Sequence, residues 1–139
     1  MKASVEGLAG RVTVLVLVLV ALIAIVVAGC GSATSSGPAI TKVDAGTAVS
    51  MLDARSVIDV RTPAEYAAGH IAGAGNIDVQ GADFASAIST LDKGAAYLVY
   101  CHSGRRSAMA AEQMAAAGFT DIVDGGGMAD LVAAGAPTQ

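Results

Sequence analysis

"AYLVYCHSGRRSAMAAEQMAAAG", residues 96–118, reads as strand, turn and helix in immediate succession. Ala96 to Tyr100 is a continuous apolar stretch of strand length, as expected of a parallel strand buried on both faces. From Arg106 to Ala117 the residues follow a helical pattern, which Gly118 closes. Between them, Cys101 to Ser107 gathers one thiol, two arginines, a histidine, a glycine and two hydroxyls. A short turn from strand into helix brings backbone N–H groups toward one point and faces that point with the positive end of a helix dipole, so an anion is stabilised there. A cysteine so placed is a thiolate, its pKa lowered from about 8.5 to between about 3.5 and 7.5. Gly104 supplies a backbone able to take positive φ, with no side chain over the sulfur. Arg105 and Arg106 offer planar forks suited to an oxyanion, and Ser107 is placed to cap the helix start.

Outward from this stretch, short apolar runs alternate with helical patterns and no internal repeat is present. "SVIDV", Ser56 to Val60, predicts a second strand near the middle of a sheet; Gly75 to Val79 and Thr120 to Asp124 are weaker strand candidates. Helices are expected over Ala45 to Ala54, over Pro63 to Ala68 with Thr62 as N-cap, over Phe84 to Leu91 behind a capping Asp83, and over Gly127 to Ala134. Alternation of this kind predicts an α/β sandwich, a mostly parallel central sheet with helices on its faces. Ligands of such sheets bind beyond the carboxyl ends of the strands, which is where Cys101 falls. In the helix after the loop, Ala108, Ala111 and Ala115 share one face and would let it pack close to the sheet. Asp59 and Arg61 end the second strand, where they either border the site or form an internal ion pair that orders the loop. His70 is expected to make structural hydrogen bonds and His102 to fill the loop. The two histidines are far apart with no second cysteine nearby, so neither a metal site nor a cofactor is expected.

The amino terminus has a different character. Val12 to Ala28 is apolar apart from Thr13 and follows Lys2 and Arg11, the layout of a secretory signal, although its length leaves an uncleaved membrane anchor open. "VVAGC", Val26 to Cys30, resembles the lipobox of bacterial lipoproteins. That resemblance implies cleavage before Cys30, lipidation of its sulfur, and a domain tethered outside the cytoplasmic membrane or in the periplasm. On this division residues 1–29 are a signal peptide, 30–38 a flexible Gly/Ser-rich tether, and 39–139 the folded domain. From Cys30 onward, six Lys and Arg stand against eleven Asp and Glu, a net charge near −5. Nucleic acid is therefore not an expected partner, because phosphate binding needs a basic face. With Cys30 lipidated, Cys101 is the only free thiol and no internal disulfide is possible.

The loop "CHSGRRS" resembles the active loop of rhodanese-type sulfurtransferases. Two further stretches agree: "VIDVRTPAEYAAGHIAGAGNI", Val57 to Ile77, resembles the family's upstream signature, and "GGMADLVAAGAP", Gly126 to Pro137, its closing segment. The resemblance implies a rhodanese-like three-layer fold and a two-step reaction. Cys101 takes a sulfur from a small anionic donor such as thiosulfate or a persulfide, and passes it to a thiol or cyanide-type acceptor. It further implies that the amides from His102 through Ser103, Gly104 and Arg105 to Arg106 cradle the persulfide; Ser107, Asp59 and Arg61 are candidate supporting residues from their own positions at the helix start and the strand end. Cysteine-dependent phosphatases have a similar arrangement with five residues between Cys and Arg, whereas four separate Cys101 from Arg106, a loop too small for phosphate. Leu131 stands where relatives commonly have tryptophan. A rhodanese-like module that carries or senses sulfur for a partner, without turnover of its own, is the alternative reading.

Overall fold

A computed structural model describes residues 39–139; the apolar run, Cys30 and the tether lie outside the described residues. The chain runs β1 (Ile40–Lys42), α1 (Ala45–Ser50), β2 (Ser56–Asp59), α2 (Pro63–Ala67), β3 (Gly75–Asn76), α3 (Phe84–Ser89), β4 (Ala96–Cys101), α4 (Arg105–Ala116), β5 (Asp121–Gly127) and α5 (Met128–Ala133). Five strands form one parallel sheet in the order β1-β5-β4-β2-β3. The fold is the expected α/β sandwich. Among the described residues no helix is long and apolar enough to cross a membrane.

Strand β4 lies at the centre and its side chains alternate between two cores. Tyr97, Val99 and Cys101 join Phe84, Ile88, Ala110, Ala111 and Met114 of α3 and α4, while Leu98 and Tyr100 join Ala48 and Leu131 of α1 and α5. Period-two alternation on a strand covered on both sides thus makes three layers, and it sends the Cys101 side chain toward the face that carries α4. Leu131 is fully buried, so leucine fills a core position at the point where the resemblance notes tryptophan in relatives.

Local chemistry explains the helix boundaries. Thr62 and Glu65 form a reciprocal capping box, with Pro63 at the first helical position of α2. Asp44 caps α1 by accepting from the Thr47 amide at 3.0 Å. The helix expected over Ala45 to Ala54 is split: α1 stops at Ser50 and Leu52–Ala54 form a 3-10 turn, which tightens the chain for its entry into β2. Asp83 sits before α3 without a side-chain capping bond, and the helix ends at Ser89, two residues short of the expected Leu91. The buried face of α4 is Ser107, Ala110, Ala111 and Met114. Of the alanines expected on that face, Ala111 is fully buried, Ala115 packs partly buried against the same core and Ala108 lies at its margin.

Two strands also depart from expectation. The strand expected over Gly75 to Val79 keeps ladder pairing only at Gly75 and Asn76, although the amides of Ile77 and Val79 still reach the carbonyls of Asp59 and Val60. In the other direction, β5 runs three residues past Asp124. A Cβ on Gly125 would come within 2.9 Å of the Leu98 side chain, so this extension of the strand beside β4 requires glycine.

Candidate functional site

Cys101 is the last residue of β4 and lies opposite Gly127 of β5, so it marks the carboxyl end of the central strand. The chain turns through His102 and Ser103 and reaches Gly104 with φ +88°, the left-handed region in which a Cβ is strained. That turn points the Gly104 amide back at the sulfur, N to Sγ 3.1 Å. Burial pushes the thiol pKa up, and donation from the amides of Ser107, Ser103, Gly104 and Arg106 more than offsets it, so the net shift is downward. Cys101 itself exposes no surface, while His102, Ser103 and Arg105 are exposed around it.

Several residues named from the sequence take other roles. Ser107 does not cap α4: the N-cap is Gly104, and Ser107 lies fully buried in the first turn. Its hydroxyl donates to Asp124 Oδ1 at 2.6 Å, and the same carboxylate oxygen accepts from the Gly126 amide at 3.1 Å. Asp124 thus ties the first turn of α4 to β5 beneath the loop, a role that the strand pattern did not assign to it. The sequence signal was a carboxylate at the end of an apolar strand, where a buried charge requires partners.

Arg106 does not offer an open fork. It is held by Glu65 through two parallel contacts of 2.7 Å, NH1 to Oε2 and NH2 to Oε1. The pair joins α2 to the start of α4. Hydrogen bonding from Arg106 is the main cause that lowers the Glu65 pKa to about 2, against the opposing effect of burial and with further help from Thr62. The Arg106 pKa is raised, chiefly by Glu65, with attraction to the Cys101 sulfur contributing. Arg105 is the exposed cation of the loop.

Because the Glu65 pKa is lower folded than unfolded, where about 4.3 is usual, the pair contributes fully above about pH 5. That contribution is lost as pH falls toward 2. Glu65→Gln is expected to lower stability by about 1 kcal/mol at neutral pH, the scale of a partly exposed ion pair. Urea unfolding of wild type and variant should converge as the pH approaches 2.

Asp59 and Arg61 form the internal pair, both deeply buried. Arg61 donates to both Asp59 oxygens, at 2.6 Å from NH2, and also to the Gly69 carbonyl at 2.7 Å. Tyr100, the residue before Cys101, donates its hydroxyl to Asp59 at 2.7 Å and accepts from the Ile71 amide at 3.0 Å. The Tyr100 pKa is pushed up, first by burial. Neither Asp59 nor Arg61 bonds the cysteine loop; they hold the strand end and the 61–71 segment beside it. His70 is structural, stacked on Tyr66 at 3.6 Å between centroids and bonded through Nδ1 to the Tyr66 carbonyl.

A hollow of about 470 Å³ opens beside the loop, walled by Arg61, Glu65, His102, Ala68, Met128 and Val132 among others. On the other side of the loop, a second hollow of about 330 Å³ is lined by Ser103, Gly104, Gly125 to Gly127 and the charged Lys42, Asp44 and Asp130.

Residues 44–131 match the family model of the rhodanese-like domain. The chain is 36% identical over 74 residues to the thiosulfate sulfurtransferase PspE of Escherichia coli, 53% of this chain and 71% of that protein. It is 44% identical over 73 residues to the thiosulfate sulfurtransferase GlpE of Pseudomonas putida, 50% of this chain and 64% of that protein, so the match spans a little under two thirds of GlpE. The solution structure of a rhodanese-like domain from an Anabaena sp. protein superimposes with a TM-score of 0.63 at 28% identity, covering 74% of this chain and 80% of that one. With the motifs, the parallel five-stranded sheet and the cysteine at its carboxyl edge in agreement, this chain belongs to the rhodanese-like domain family.

Proposed function

We propose that the protein is a sulfurtransferase that moves a sulfane sulfur from thiosulfate or a persulfide donor to a thiophilic acceptor through Cys101. The observation that carries this reading is a thiol at the end of the central strand, with the Gly104 amide 3.1 Å from its sulfur and its pKa lowered by main-chain donors. In the first step the Cys101 thiolate attacks the outer sulfur of thiosulfate; the donor S–S bond breaks and sulfite leaves with the bonding pair. The persulfide anion stays among the amides of Ser103, Gly104, Arg106 and Ser107, and Arg105 attracts the anionic donor. Because Cys101 exposes no surface, the exposed His102–Ser103 segment shifts aside to admit the donor. An acceptor then attacks the outer sulfur and Cys101 returns as thiolate. The test is the mass of the Cys101 peptide after incubation with thiosulfate. A gain of one sulfur atom is expected; an unchanged mass defeats the reading.

The leader extends this function to a location. Residues 1–29 serve as a lipoprotein signal, Cys30 carries the lipid and residues 30–38 tether the domain at the cell envelope, on the outer side of the cytoplasmic membrane. The support is "VVAGC" at the end of the apolar run. Cys30→Ala is expected to leave an uncleaved, unacylated precursor. Acylation and processing like those of wild type would refute the assignment.

A further inference from the structure

We infer that the acceptor for this site is a neutral organic thiol bearing an alkyl group, seated in the hollow between the end of α2 and α5; this rests on the sulfurtransferase reading and narrows its second substrate. At about 470 Å³ the hollow falls within the range of small-molecule sites. Its charged wall residues are already engaged, Arg61 with Asp59 at 2.6 Å and Glu65 with Arg106 at 2.7 Å. An ionic guest would therefore find no unpaired opposite charge there. The remaining wall is mainly apolar, through Ala68, Met128, Ala129 and Val132, and Val132 leaves 41% of its surface uncovered. His102, the residue after the nucleophile, forms part of the same wall. Across the loop, the second hollow sets Asp44 and Asp130 against Lys42, so an alkyl group gains nothing by entering it.

Transfer is a displacement at sulfur. The acceptor thiol loses its proton to solvent and its thiolate attacks the outer sulfur of the Cys101 persulfide. The bond from Sγ to that sulfur breaks, Sγ leaves with the electron pair as thiolate, and the acceptor departs as a persulfide anion. No net oxidation occurs, and no other reactant is needed.

The test uses the full chain, loaded with sulfur from thiosulfate, freed of donor, and mixed with ethane-, propane-, butane- or pentanethiol at equal concentration. These thiols have nearly the same acidity, so chain length changes how they seat and not how they react. Loss of the extra sulfur from the Cys101 peptide is followed by mass spectrometry. The second-order rate is expected to rise roughly two- to fourfold per added methylene. Val132→Asp, a change at an exposed position, is expected to flatten that rise. Equal rates along the series, or an undiminished rise in Val132→Asp, overturn the acceptor class and leave sulfur transfer standing, since the sulfur was loaded and removed. No loading of Cys101 overturns both.

Discussion

Replacing Cys101 by serine is expected to lower thiosulfate-dependent thiocyanate formation by at least about a thousandfold, about 4 kcal/mol in the barrier. The substitution keeps the approximate shape of the side chain but replaces an acidic thiol with a far less acidic hydroxyl. Amide donation lowers the pKa of a thiol that is already weakly acidic, whereas an alcohol remains protonated and does not attack sulfur. The fold should survive, because the serine hydroxyl meets the same Gly104 amide that now faces Sγ at 3.1 Å. Loss of turnover with an unchanged unfolding midpoint therefore identifies chemistry and not collapse. Turnover equal to wild type in the variant would remove Cys101 from the mechanism, and absence of turnover in the wild type would favour a sulfur-carrying or sensing module.

The second large effect concerns stability. Asp59→Ala is expected to cost about 3–5 kcal/mol in urea unfolding, a large share of the ~5–15 kcal/mol that holds a domain of this kind together. Asp59 is fully buried and accepts from Arg61 and from the Tyr100 hydroxyl. Removing it leaves the buried Arg61 guanidinium with only the Gly69 carbonyl as partner, and leaves the Tyr100 hydroxyl without its acceptor. Removing both charges, as in Asp59→Leu with Arg61→Met, should recover much of the loss, since most of the cost is the unpaired cation. A single variant that loses under about 1 kcal/mol would show that the pair does not hold the strand end in place.

What the sequence revealed was local. The cysteine loop was legible because an apolar strand, a glycine that turns the chain and a helix pattern fall within 23 contiguous residues, 96–118. The Thr62–Glu65 capping box was half legible, since Thr62 and Pro63 announce a helix start while the second use of Glu65 does not show. That use joins residues forty-one positions apart, and no spacing rule picks Arg106 over Arg105 as the partner. The choice follows from which arginine the fold turns toward α2, since Arg106 meets Glu65 while Arg105 is exposed. Gly104 takes the N-cap position, which leaves Ser107 in the first turn, buried against Asp124. Strand β1 was not anticipated because three residues at a sheet edge, one half-buried and two exposed, carry no periodicity. The full length of β5 was hidden by Gly125, Gly126 and Gly127, which depress strand propensity, although Gly125 permits the close approach to Leu98 of β4 and Gly127 the approach to the loop at His102 and Ser103.

The central claim is that main-chain donors favour the thiolate of Cys101 and outweigh its burial, and the pH dependence of its alkylation tests this most directly. Iodoacetamide labelling is followed by peptide mapping, which separates Cys101, between Lys93 and Arg105, from Cys30. The account predicts a reactivity midpoint below the ~8.5 of an unperturbed thiol, with the native-state rate levelling off above it. A midpoint at or above about 8.5 would contradict it, for burial would then outweigh the amides of Ser103, Gly104, Arg106 and Ser107.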